Sequence, residues 1–164
     1  MQRREIQRQI MSAQALQALL KPVVDSISGK AIEAPLSQEL NTQFAHGSEW
    51  YEQVKELCQQ GLEAGWACQF EAGGIKYGRV IKPSEELNNY SVDIVLMNDV
   101  VGPHHSHPNG EVDLVIPLNE GAAFDGTSEG WVVYPPESAH KPTVTGGEAF
   151  VIYLLPEGAI NFTR

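Results

Sequence analysis

Cysteine is scarce in this sequence: Cys58 and Cys68 are the only two in 164 residues. Two thiols make no disulfide framework, and the simpler reading is a reduced, cytoplasmic protein. Long apolar runs are missing as well, and nothing approaches the about 20 residues that span a bilayer. Arg3, Arg4 and Arg8 are interrupted by glutamines and Glu5, with no apolar stretch or small-residue cleavage site behind them, so no secretory signal is expected. Positive charge is the third shortage, with 11 Lys and Arg against 21 Asp and Glu and a net charge of −10. An acidic chain without a basic run repels phosphate backbones and anionic lipids, which excludes nucleic acid and membrane surfaces as partners. There is also no Gly-x-Gly-x-x-Gly phosphate loop, so no nucleotide cofactor is expected.

What is present is enough for one globular domain, since 42% of the residues are hydrophobic. A chain of this size buries roughly 68–70% of its unfolded surface and needs no staple to fold. Ile6, Ile10, Ala13, Leu16 and Leu20 recur at helical spacing, and Pro22 is predicted to stop that helix. Residues 24–37 mix Ser, Gly and Pro without a period and read as a connection. Ser48 is a candidate N-cap for a second helix, lined on one side by Trp50, Tyr51, Val54, Leu57, Cys58 and Leu62 and ended by Gly65. Beyond Gly65, short apolar runs predict strands near 67–70, 75–81, 90–97, 111–117, 131–134 and 149–155. Many short strands without intervening helices point to a mainly β, antiparallel sandwich or barrel. The expected organisation is a helical extension over residues 1–65, packed on a barrel over 66–164, as one structural unit.

Four of the five histidines fall between His104 and His140, whereas His46 stands apart and reads as incidental. In Gly102-Pro-His-His-Ser-His-Pro-Asn-Gly-Glu111, strand parity sends His105 and His107 to one face. Glu111 joins them if the Pro108-Asn109-Gly110 turn keeps that parity, and His140 offers a fourth ligand from a later strand. A solvated, proline-rich turn is the bland alternative, but it explains neither the shared parity nor the carboxylate. Such a nitrogen and oxygen set suits Fe, Mn, Zn, Ni or Co better than calcium or a thiolate-seeking metal. His104 has the opposite parity and is expected beside the cluster rather than in it.

These residues resemble the two motifs of the cupin superfamily. His105, His107 and Glu111 match the first, and Gly130, Pro135 and His140 match the second. Gly102 lies nearer to His105 than in the usual pattern, Glu137 stands where that pattern has a glycine, and Val144 stands where it often has an asparagine. Longer blocks, GGIKYGRVIKP, DVVGPHHSHPNGEVDLVIPL and GWVVYPPESAHKPTVTGGEAFVIYLLPEGAI, resemble the 4-hydroxylaminobenzoate lyase family of small cupin-like proteins. The resemblance implies a cupin-like antiparallel β-barrel or jelly roll with a helical N-terminal extension. It also implies conversion of 4-hydroxylaminobenzoate to protocatechuate with release of ammonia, in nitrobenzoate breakdown. A cupin dioxygenase or isomerase on another small acid, and a non-catalytic ligand-binding cupin, are the competing readings.

That chemistry needs a cation for the benzoate carboxylate, an acid for the departing oxygen and a source of water. Arg79 is the chosen carboxylate partner because a guanidinium forks onto carboxylates, with Lys76 and Lys141 as further cations. Tyr77 shares the parity of Arg79 and is a candidate acid or hydrogen-bond donor. A bound metal would supply activated water; if none binds, the same His105, His107, Glu111 and His140 cluster acts by general acid–base catalysis with Glu111 as the proton carrier, and His104 is an accessory catalytic group. Trp131 and Tyr134 are expected to line the aromatic pocket. Exposed β edges and the amphipathic first helix make a homo-oligomer the expected assembly.

Overall fold

The computed structural model describes residues 2–162, apart from the side chains of residues 2 and 5–11. Three helices lead the chain: α1 Gln2–Ile27, α2 Ala34–Gln43 and α3 Glu49–Ala64. The expected contributions of Ile6 and Ile10 lie outside the described side chains. Pro22 does not end α1, which continues one and a half turns to Ile27. Burial is the reason: Leu16, Leu20, Val23, Val24 and Ile27 all sit in the core. Each fully buried side chain contributes about 1.5–3 kcal/mol, which together outweigh the roughly 3 kcal/mol that an internal proline costs. The stretch read as a connection contains α2, which buries Leu36 and Leu40 and has its proline in the first turn, where proline fits. For α3 both expected ends are found. Ser48 Oγ accepts from Tyr51 N–H, and Gly65 caps in the left-handed conformation at φ 83°.

Ten strands follow: β1 Phe70–Ala72, β2 Ile75–Ile81, β3 Tyr90–Val101, β4 His105–His107, β5 Glu111–Pro117, β6 Ala123–Phe124, β7 Gly130–Tyr134, β8 Ser138–His140, β9 Thr143–Pro156 and β10 Asn161–Phe162. All pairings are antiparallel. A large sheet runs β1-β2-β3-β9-β5-β7, with β6 beside β9, and a small one runs β10-β4-β8. The architecture is the cupin-like barrel with a helical extension. Both β3 and β9 exceed their predicted lengths, because a bulge at Asp99 (φ 42°) lets the ladder resume from Val100↔Val144 to Val101↔Thr143. Asn98-Asp99 and Gly146-Gly147 both lie inside these strands.

The central strands of the large sheet, β3, β5 and β9, are buried on both faces over most of their length. Val92, Ile94, Leu114, Ile152 and Leu154 face the helices, in one core with Leu20, Val54 and Leu87. Val95, Met97, Val115, Val151 and Tyr153 face the barrel interior, which the small sheet closes on its other side. Trp131 belongs to the helical face and not to the interior where a pocket residue would lie. It stacks on Trp50 with centroids 6.0 Å apart, its indole N–H donates to Phe44 O at 3.0 Å, and its backbone N–H donates to Asn41.

Candidate functional site

The four expected ligands come together from two walls of the barrel. His105 and His107 alternate inward on β4, and His140 lies opposite His105 in the β4–β8 register. Glu111 begins β5, in the facing sheet, so the turn through Gly110 carries the chain across the barrel rather than along one face. Glu111 therefore meets the histidines from the opposite side, which simple strand parity did not describe. Gly110 makes the crossing possible: its φ is 92°, and a Cβ there would sit 2.8 Å from Ile32 Cγ2 and 3.0 Å from Tyr134 O.

One nitrogen of each histidine and a Glu111 oxygen lie within 4.8 Å of one another. Nε2 of His107 is 3.1 Å and Nε2 of His140 3.4 Å from Glu111 Oε2, and His105 Nε2 is 3.5 Å from Oε1. His105, His107 and Glu111 are at most 1% exposed. Neither Glu111 oxygen nor His107 Nε2 has an aligned hydrogen-bond partner among the described residues. Burying such groups without partners is costly, and a divalent cation would satisfy them all. Burial alone would raise the Glu111 carboxyl, but the three imidazoles around it pull it well below the ordinary value.

The outer nitrogens are fixed by neighbours. Ser138 donates its hydroxyl hydrogen to Pro135 O at 2.6 Å, so its Oγ accepts from His107 Nδ1–H at 3.0 Å. That leaves His107 Nε2 as a bare lone pair aimed at the cluster. His140 Nδ1 is 2.6 Å from Asp125 Oδ2, an oxygen that also accepts from the Tyr134 hydroxyl. Glu137, where the cupin motif has glycine, takes the left-handed φ of 67° that such a glycine serves, and its N–H donates to His107 O.

Beside His105 opens a cavity of about 610 Å³, lined by apolar residues such as Ile75, Val95 and Met97 and by Tyr77, Arg79, Asp93 and Tyr153. Tyr77 and Arg79 thus share the cavity as their parity predicted. The Arg79 fork is already engaged: Nε donates to Asp93 Oδ1 at 2.7 Å, and Nη2 donates to Asp93 Oδ2 and to Gly158 O. Lys76 is exposed at the alternate position of β2 and does not line the cavity. His104 is half-buried in the loop before β4 and belongs neither to the converging set nor to the cavity lining. Tyr134 contacts His140, with ring centroids 4.3 Å apart. Among the described residues, sequence reasoning missed Asp93, Asp125, Ser138 and Tyr153. Only Asp125 carries a local signal, an Asp-Gly turn pair, and that signal reports the turn rather than the contact.

The chain matches a family described as PnbB, 4-hydroxylaminobenzoate lyase, over residues 18–162. It is 37% identical over 150 residues to a protein of Nocardioides sp. (strain LMS-CY) named 4-hydroxylaminobenzoate lyase, covering 86% of this chain and 89% of that one. A Pseudomonas putida protein of the same name is 31% identical over 153 residues, covering 83% and 87%. Among solved structures, a cupin from Ralstonia eutropha aligns over 57% of this chain and 62% of its own, at 12% identity and a TM-score of 0.42.

Proposed function

The chain belongs to the 4-hydroxylaminobenzoate lyase family and is a lyase, and on that premise we propose that it converts 4-hydroxylaminobenzoate and water to protocatechuate and ammonia. The observation that carries this reading is the convergence of three imidazole nitrogens and Glu111 beside an apolar cavity of about 610 Å³. Cavities of this size bury a small aromatic acid well.

The overall reaction consumes one water. Breaking the N–O bond reduces nitrogen by two electrons, and the neighbouring ring carbon is oxidised by the same two as it gains a hydroxyl. A second hydroxyl then replaces nitrogen at the adjacent carbon and ammonia leaves. The electrons balance within the substrate, so no nicotinamide or flavin is required.

His105, His107, His140 and Glu111 would hold a divalent ion, with Fe, Mn, Zn, Ni and Co all suited to the donor set. When bound, such an ion polarises an oxygen and lowers the pKa of its water toward about 7. Arg79, at the cavity wall, meets the substrate carboxylate while Asp93 holds its guanidinium flat. Tyr77 offers a hydroxyl to the departing oxygen from the same wall. Without the ion, Glu111 would instead carry protons between water and ring. The same reading places the enzyme in the cytoplasm as a homo-oligomer, supported by Phe70 exposed on the edge strand β1. No helix among the described residues is long and apolar enough to cross a membrane.

Purified protein supplied with 4-hydroxylaminobenzoate should release ammonia and protocatechuate in equal amounts without consuming oxygen. Absence of turnover in protein of confirmed metal content overturns the proposal.

A further inference from the structure

We propose that Asp125 is the positioning residue for His140, and that Tyr134 acts through Asp125 rather than on substrate. The inference deepens the metal-site reading above and rests on it. His140 has two ring nitrogens with different neighbours. Its Nε2 faces the cluster, 3.1 Å from His105 Nε2 and 3.4 Å from Glu111 Oε2. Its Nδ1 faces Asp125 Oδ2 at 2.6 Å. A carboxylate only accepts, so Nδ1 carries a hydrogen, and a ring that binds a cation in this orientation presents the Nε2 lone pair to it.

Asp125 is itself held from three sides. The Tyr134 hydroxyl and His140 Nδ1–H donate to Oδ2, and Thr143 N–H donates to Oδ1 at 2.9 Å. Its backbone lies in a two-residue hairpin turn: Phe124 and Thr127 exchange both backbone hydrogen bonds at 2.8 Å, with φ 47° at Asp125 and 85° at Gly126. Positive φ at both central residues is what the tightest hairpins require, and Asp-Gly supplies it. The carboxylate is thus presented from a rigid turn, with a side chain only 20% exposed. Tyr134 is spent on the same oxygen and does not line the cavity.

Asn is the discriminating replacement because it also tolerates left-handed φ. In Asp125→Asn the amide oxygen keeps the Thr143 bond and the NH2 group turns to His140 Nδ1. The ring hydrogen then moves to Nε2, where it blocks the lone pair. Zinc and cobalt(II) titrations against a competing chelator, without substrate, should show affinity lower by about 10–100-fold, the usual cost of losing such a partner. Tyr134→Phe should lower affinity by a few-fold and leave KM unchanged, whereas a substrate contact would raise KM at unchanged affinity. The thermal midpoint of ion-free Asp125→Asn should stay near that of the unaltered protein; if that variant does not fold, the Tyr134→Phe affinity decides. Undiminished affinity in Asp125→Asn, or an unaltered protein that binds neither ion, overturns the inference. Failure of the lyase reading looks different: the unaltered protein binds the ion, Asp125→Asn binds it weakly, and neither turns over the hydroxylamine.

Discussion

His105 and His140 sit opposite each other in the β4–β8 pair, with their Nε2 atoms 3.1 Å apart. Two nitrogen lone pairs facing at that distance repel unless a proton or a cation lies between them. Replacing either by alanine should remove bound metal and turnover together, read by elemental analysis and by ammonia release. Full turnover in chelator-treated protein with no detectable metal would instead make the cluster a general acid–base device.

Arg79 is paired with Asp93, so its role in holding a substrate carboxylate can be separated from its role in balancing a neighbouring charge. Arg79→Ala should raise KM tenfold or more, because an anionic substrate then meets an uncompensated Asp93. In Arg79→Ala/Asp93→Asn the repulsion is gone. KM that stays raised identifies Arg79 as the carboxylate partner, and KM that returns to normal identifies it as a counter-charge.

Ser138→Ala leaves His107 Nδ1 without its acceptor and frees the ring to take the other tautomer. Metal affinity should fall toward the lower end of the about 10–100-fold range typical of such partners. Equilibrium titration with cobalt(II) measures the fall.

Two backbone positions beside the site should respond in opposite directions. Gly110→Ala places a Cβ at positive φ, which costs about 1–2 kcal/mol, and drives it against Ile32 and Tyr134 O. Each kcal/mol lowers the melting temperature by about 2–4 °C in a domain of this size. Glu137→Gly relieves the left-handed φ of 67° at an exposed position and should leave stability unchanged or slightly raised. Thermal unfolding by circular dichroism reads both.

Burial pushes the Cys58 thiol up strongly, and likewise the Cys68 thiol, to about 12. The thiolate is the reactive form, so neither should react with a colorimetric disulfide reagent at neutral pH until the chain unfolds. Rapid modification of the folded protein would contradict their buried placement.

Local pattern exposed the parts of this molecule governed by local rules. The Ser48 and Gly65 caps, the strands at 75–81 and 111–117, and the shared inward parity of His105 and His107 all follow from neighbours in sequence. Where a distant element decides, the sequence was silent or misleading. Pro22 stays inside α1 because residues far along the chain bury Val23 and Ile27, and Trp131 turns to the helices because Trp50 and Phe44 are there to receive it. Asp125 reads as nothing more than a turn until β8 brings His140 alongside.

The two sheets that share the site differ in how firmly they are tied. Strands β3 and β9 run 12 and 14 residues, paired along most of their length between two cores, whereas β4, β8 and β10 have three, three and two residues. Amides of β9 should be among the slowest to exchange with deuterium and those of β8 and β10 among the fastest. Three imidazoles therefore ride on the wall that opens first and Glu111 on the wall that opens last. A cation joining them would act as a tether between a loosely and a firmly held part of the barrel, slowing exchange in the small sheet far more than in the large one.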